Sequence, residues 1–361
     1  MASTRLPPED YTVGWVCALP IELAMAEKML DEQYQHPNLS PNDTNIYTLG
    51  RIGEHNVVIV CLPGGEMGTN SAAAVATLME SSFTSIRFGL MVGIGGGVPT
   101  MENDIRLGDV VVSKPGSMHG GVVQYDFGKA TPSGFERTGF LNTPPRILLN
   151  AVARVEAHHF NGRLKFLEYA SKLQTFRRKD IGRDVLFAAD YRHEGGATCD
   201  QCSRDKVVDR QPRSQETKVH YGTIASGNRV IKDATERDKV SSEFDGVLCF
   251  EMEAAGLMNS FPCLVIRGIC DYADSHKNKK WQAYAAGIAA AYAKEVLSEI
   301  PTTQVAKSRT ADDIITEQHG QYSKYCYSAT AQMLRSVSWT SPVCSFPQRR
   351  QTRGSRRGIP R

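Results

Sequence analysis

The chain of 361 residues lacks any apolar run long enough to span a bilayer, so an integral membrane protein is not expected. Its N-terminus, "MASTRLPPEDYTVGWVCALPIELAM", has a short apolar run but neither the basic flank nor the cleavage site of a secretory signal. It has no internal repeat. It also has little net charge, +3 overall, and that small excess is unevenly placed. The last fifteen residues, "PQRRQTRGSRRGIPR", carry six Arg and no acid, which leaves the preceding residues at −3. A mildly acidic body offers no nucleic-acid footprint. The nine cysteines lack the spacing of a disulfide framework, and Cys17, Cys61, Cys249, Cys263 and Cys270 lie in apolar runs. That usage reads as reduced, buried thiols in a cytoplasmic protein, with the basic tail compatible with nuclear import.

Two familiar nucleotide signatures are also missing. "GIGGG", Gly93 to Gly97, would need Gly at 98 to complete G-x-G-x-x-G and finds Val98, and no Walker lysine follows it. Cys199 and Cys202 form one C-x-x-C with no second pair behind it. A zinc knuckle borrowing His193 and His220 is one reading; a loop with two free thiols is the preferred one.

What is present is alternation. "TVGWVCA" reads as a strand, and "IELAMAEKMLDE" after Pro20 as a helix. "IYTLGRIGEHNVVIVCLP" reads as two strands around a turn, and "GTNSAAAVATLMES" as a helix capped by Thr69, Asn70 or Ser71. "RFGLMVGIGGG", "LGDVVVS", "VHYGTIASGN", "GVLCFEM" and "FPCLVIRGICD" are further strands. "EAAGLMNS" reads as a helix between the last two, and "WQAYAAGIAAAYAKEVLSEI" as a long closing helix. Near-continuous apolar strands alternating with helices predict an α/β fold with a largely buried mixed sheet. We divide the chain into a leader at 1–10, a catalytic domain at 11–300 and a basic, disordered tail at 301–361. Residues of about 150–220 are polar and read as an insertion placed for a lid or specificity loop.

Ligands of open α/β sheets gather at the carboxyl ends of strands. Four ends carry informative residues: "CALPIE" with Glu22, "GIGGG" with Gly95 and Gly96, "FEME" with Glu251 and Glu253, and "RGICDYAD" with Asp271 and Asp274. Each has a bland reading. Glu22 could be a first-turn helix acid and Asp271 a loop cap. His119 reads as a structural or surface histidine. The functional case rests on all four sets standing at strand ends of one sheet.

In order, "VGWVCALPIE", "MVGIGGG", "LGDVVVS", "IASGN", "FEMEAAG" and "VIRGICDYAD" resemble the nucleoside phosphorylase and nucleosidase superfamily over roughly residues 11–300. The resemblance implies a single α/β domain with a mixed, partly barrel-like central sheet flanked by helices, often assembled as a homo-oligomer. It implies cleavage of a nucleoside's N-glycosidic bond without a metal or organic cofactor. Glu253 corresponds to the glutamate that accepts hydrogen bonds from the ribose 2′ and 3′ hydroxyls, and Met252 to the methionine on the sugar face. Glu251 has the weaker claim. Asp271 corresponds to the acid that gives or shares a proton at the leaving purine. Glu22 stands where nucleosidases carry the water-activating glutamate. The arginines that bind phosphate in phosphorylases are missing from the first helix, and Met91 stands where a second would lie. Hydrolysis is therefore preferred, with phosphorolysis as the alternative. In "ASGNRVI" the resemblance places base recognition at Asn228, Val230 and Ile231, although the stacking aromatic is replaced by Val230. A third reading is a nucleoside-sensing module of a larger signalling protein. Partners implied are a small nucleoside and water or phosphate.

Overall fold

A computed structural model describes residues 4–37, 39–173 and 178–317. The chain divides into a compact unit of Met1–Thr316 and a second unit of Glu317–Arg361, of which only Glu317 is described. In the first unit the elements run β1 (Val13–Cys17), α1 (Pro20–Glu27), β2 (Glu32–Tyr34), β3 (Tyr47–Ile52), β4 (His55–Cys61), α2 (Thr69–Ser82), β5 (Phe88–Gly97), β6 (Val110–Ser113), β7 (Val122–Gln124), β8 (Gly128–Thr131) and β9 (Gly134–Arg137). There follow α3 (Arg146–Phe160), α4 (Lys165–Ser171), β10 (Val219–Gly222), β11 (Ile224–Ser226), α5 (Ala234–Glu243), β12 (Cys249–Glu251), β13 (Cys263–Asp271), α6 (Gln282–Ser298) and α7 (Thr302–Lys307).

The expected class, α/β with a large mixed sheet between helices, is what forms. Eleven strands make one sheet, in the order β10-β6-β13-β5-β1-β4-β3-β2, and the branch β7–β11–β12 joins it at β5. β1 runs parallel to β4 and β5, and β13 runs parallel to β5. β12 is antiparallel to β5 and meets it only at Gly96 and Gly97.

Period-two alternation sorts the strand residues into two layers of core. Val13, Trp15, Val57, Ile59, Phe88 and Leu90 pack on one face with buried residues of α1, α3 and α6. Val16, Val58, Val60, Met91 and Val265 pack on the other with α2 and Phe261. Both faces are covered, which is why the strands read as continuous apolar runs rather than alternating ones.

Three expectations are corrected. The polar segment from about residue 150 begins inside a core helix. Leu148, Ala151, Val152 and Val155, at helical spacing, bury one stripe of α3, and Phe166 of α4 joins the same core. Irregular chain with short 3-10 turns starts at Arg178. "EAAGLMNS" forms no α-helix; Ala254–Gly256 is one 3-10 turn, ended within a few residues by Pro262. The expected disordered tail starts too early: α7 and a helical stretch over 311–317 are ordered, with the Ala311 N–H on the Ile86 carbonyl at 2.8 Å. The remainder, 318–361, lies outside the described residues.

Candidate active site

The carboxyl end of β5 is where the acids meet. α1 begins directly after β1, and Glu22 in its first turn bends back over the strand ends. Its Oε2 accepts the Ala18 and Leu19 N–H groups at 2.7 and 3.0 Å, and its Oε1 accepts the Ile94 N–H of β5 at 2.8 Å. Glu22 thus does what a first-turn helix acid does and also reaches the neighbouring strand.

Beside it lies a residue that sequence reasoning missed. Arg267, fully buried within β13, sits among three carboxylates. Its Nη2 bonds Glu251 Oε2 closely and lies 3.4 Å from Glu253 Oε2, with Glu22 near enough to hold the guanidinium charged. The signal was visible: one cation in the otherwise apolar "CLVIRGIC", four residues before Asp271. A Cβ on Gly93 would overlap the Glu22 carboxylate and stand 2.5 Å from Arg267 Nη1. The glycine makes room for Glu22 and Arg267 to meet across the strand.

The three carboxylates differ in their support. Glu251 is fastened by Arg267 and by the Glu253 and Ala254 N–H groups at 3.0–3.2 Å. It is the structural member of the set. Glu253 has fewer partners. Burial pushes its pKa up to about 7; Arg267 opposes this, and Glu251 and Glu22 add to it. Burial raises Glu22 too, against Arg267 and the three backbone N–H groups. One guanidinium cannot neutralise three carboxylates, so the cluster carries surplus negative potential. Met252 between the two glutamates is half-buried.

Asp271 lies further along. Regular pairing would set Cys270 opposite Gly96, but a bulge after Ile269 sets Asp271 there instead. The extra residue re-aims the side chain, and a Cβ on Gly96 would stand 2.8 Å from its Oδ1. Asp271 accepts the Ala273 N–H at 2.9 Å and pairs with Lys277 Nζ at 3.1 Å, a second cation that the sequence reading passed over. It lines a cleft of about 1010 Å³ walled by Arg106, Leu107, Trp281 and the irregular segment from Arg178. Glu22, Glu251 and Glu253 do not line that cleft.

The remaining candidates scatter. Gly95 packs its backbone against Phe250 O and Arg267 Cβ. Asn228 Oδ1 accepts the Thr69 N–H at 3.0 Å, so it caps α2 from a distance. Val230 is 47% exposed, whereas Ile231 is buried with Tyr125 and Phe250. Asp274 accepts the His276 N–H at 2.9 Å. His119 packs edge-on against Phe244. His220 bonds Asp109 at 2.9 Å and is not part of the Cys199–Cys202 turn. Among the described residues, no helix is long and apolar enough to cross a membrane.

One glutamate after the β1–α1 turn, two acids at the end of β12 and an aspartate at the end of β13 thus stand at strand ends of one mixed α/β sheet. The profile of the phosphorylase superfamily matches residues 12–300, and the chain belongs to that family. A nucleotide-binding leucine-rich repeat-like protein of Hyaloscypha variabilis is 48% identical over 89% of this chain and 32% of its own length. This chain therefore spans about a third of that relative. A 5′-methylthioadenosine/S-adenosylhomocysteine nucleosidase of Mycobacterium bovis is 24% identical over 80% of this chain and 97% of its own. The futalosine hydrolase structure of Helicobacter pylori aligns with a TM-score of 0.52 at 17% identity, covering 80% of this chain and 98% of that one. This last likeness speaks for the fold.

Proposed function

We propose that this protein hydrolyses the N-glycosidic bond of a purine nucleoside or a 5′-modified purine nucleoside. The observation that carries the reading is the meeting of Glu22 and Glu253 around one overcommitted arginine at the strand ends. Breaking a ribosyl–base bond builds positive charge on the sugar, and a buried site with surplus carboxylate stabilises it. Glu253 accepts the ribose hydroxyls, each charge-assisted bond contributing about 1.5–3 kcal/mol, with Met252 on the sugar face. Glu22, whose basicity burial raises, takes a proton from the attacking water. Asp271, with the Lys277 ammonium at 3.1 Å, passes a proton to the leaving base. The large cleft beside Asp271 gives room for the base, and its walls come from Arg106, Leu107, Trp281 and the irregular segment from Arg178. We take the chain to act in the cytoplasm as a homo-oligomer.

Free ribose released from adenosine, inosine or guanosine, or free 5-methylthioribose from methylthioadenosine, without phosphate supports this reading. Ribose 1-phosphate formed only with phosphate would replace it with phosphorolysis. The Hyaloscypha variabilis relative, a nucleotide-binding leucine-rich repeat-like protein, favours a second arrangement, in which this domain is the nucleoside-responsive module of a larger chain. Tight binding of the same nucleosides without turnover would establish a sensor.

A further inference from the structure

The Cys199–Cys202 turn brings two free thiols to one histidine. Cys199–Gln201 forms a 3-10 turn closed by the Cys202 N–H on the Cys199 carbonyl at 3.2 Å, which sets both sulfurs on one side. Both converge on a single atom, His193 Nδ1, at 3.8 Å from Cys199 Sγ and 3.3 Å from Cys202 Sγ. All three atoms lie within 4.8 Å of one another. Metal–ligand bonds of about 2.0–2.3 Å in a tetrahedron set ligand atoms roughly 3.3–3.8 Å apart. Both sulfur-to-nitrogen distances fall in that range.

The histidine is also prepared. His193 Nε2 lies 2.8 Å from the Gly196 carbonyl, which only accepts. Nε2 therefore carries the hydrogen, and Nδ1 presents its lone pair to the two sulfurs. The histidine's own N–H bonds Ser275 Oγ at 3.0 Å, tying this turn to the loop after β13.

That loop supplies a fourth group. His276 is 8% exposed, and both of its ring nitrogens are buried without a hydrogen-bond partner. Its ring stands edge-on to His193 at 5.6 Å and is stacked on Phe187 at 4.1 Å. Asp274 Oδ2 lies 3.7 Å from His276 Nδ1. A carboxylate behind an imidazole is the arrangement that orients a metal-bound histidine, and it leaves Nε2 for the ion. An unpartnered buried imidazole is costly, and a metal ion removes that cost.

We propose that His193, Cys199 and Cys202 bind a zinc ion, with His276 completing the tetrahedron once its ring turns toward them. The soft sulfurs and imidazole nitrogens select zinc over calcium or magnesium. Binding releases the two thiol protons to solvent. The ion is structural: with four protein ligands it has no open position for a substrate. It clasps the irregular segment from Arg178 onto the loop carrying Asp274 and His276, so one wall of the cleft beside Asp271 depends on it.

The test uses the full chain, produced in zinc-supplemented medium and passed over a chelating resin. About one zinc ion per chain is expected by mass spectrometry of the metal, and CoCl2 exchanged for it should give the near-ultraviolet thiolate-to-cobalt band and intense visible bands of a tetrahedral site. His193→Ala and the double change Cys199→Ser, Cys202→Ser should each hold less than about a tenth of an ion. His276→Ala should bind zinc about 10- to 100-fold more weakly. If the double variant does not fold, thiol modification of the wild type, with release of one zinc read by an indicator dye, replaces it. A wild-type chain that holds no zinc and shows no thiolate–cobalt band overturns the proposal. So do zinc retention by the cysteine variants and a Cys199–Cys202 disulfide in the freshly purified chain. Unchanged zinc affinity in His276→Ala overturns the assignment of the fourth ligand.

Discussion

Around Arg267 three carboxylates share one guanidinium; around Asp109 one carboxylate takes an arginine and a histidine. Asp109 accepts Arg213 Nη1 at 2.8 Å, with Nη2 on its other oxygen, and His220 Nε2 at 2.9 Å, together with the Arg106 and Lys218 N–H groups at 2.9 Å. Burial alone would raise its pKa, but the bonds from His220 and Arg213 more than offset that, and the group sits below its usual value. Glu22 and Glu253 are equally buried and go the other way. Burial is the same in both places, and the ratio of partners to charge is not. A matched buried charge acts as a fastener, here holding the Arg213 end of the irregular segment to the sheet. A surplus of like charge is stable only until something positive or hydrogen-bonding arrives, and that marks a site.

The harshest way to break this comparison is to remove the central cation from each cluster. Arg267→Met leaves Glu22, Glu251 and Glu253 buried together and should destabilise the fold by about 3–5 kcal/mol in urea unfolding. Arg213→Met leaves Asp109 with His220 and two backbone N–H groups and should cost about 1–3 kcal/mol. Equal losses would end the distinction between site and fastener.

Next comes Glu22→Gln, which removes the base and keeps the Ile94 contact, while its amide NH2 faces the Ala18 and Leu19 N–H groups. Ribose release should fall about 100- to 10,000-fold, well beyond the stability loss of about 1–3 kcal/mol expected from those two orphaned N–H groups. Activity that survives this change would remove Glu22 from the chemistry.

The pH dependence sharpens the same contrast with two opposite slopes. Glu253 is raised from 4.5 to about 7, so its contribution to stability is full below pH 4.5 and is lost as pH rises through about 7. Asp109 is lowered from 3.8, so its contribution is present above pH 3.8 and is lost as pH falls below that. Denaturant midpoints measured from pH 3 to 8 should show both slopes. Glu253→Gln should flatten only the upper one and Asp109→Asn only the lower. Because Glu22 is also raised from 4.5, the acid limb of kcat/KM should lie above pH 4.5.

The smallest expected effect is at Gly96. An alanine there meets Asp271 Oδ1 at 2.8 Å and must push the carboxylate aside. The Ala273 Cβ, at 2.9 Å, must give way as well, so kcat should fall about 10-fold and stability by about 1–3 kcal/mol. A kcat equal to wild type would mean that Asp271 has no fixed place in the reaction.

Most of the scaffold was legible from residue order because both faces of the sheet are buried, which turns each strand into an apolar run. Strand β1, the α1 start at Pro20, the glycine-ended β5 and the long α6 all form where periodicity and turn residues put them. The α3 stripe was equally readable from Leu148, Ala151, Val152 and Val155. It was overlooked because the polar chain after it set the tone of the window. At the site, the acids announced themselves by position, whereas Arg267 hid inside an apolar word. Its role depends on which strands lie side by side, and no spacing along the chain expresses that.

From residue order alone came the α/β alternation, the placing of Glu22, Glu253 and Asp271 at strand ends, and the C-x-x-C turn, because periodicity and turn chemistry are local. The sharing of one guanidinium by three acids, the bulge that re-aims Asp271 and the convergence of His193, Cys199 and Cys202 were settled by folding. Each depends on through-space distances of a few ångströms between segments far apart in the chain, and both charge balance and metal geometry are functions of those distances.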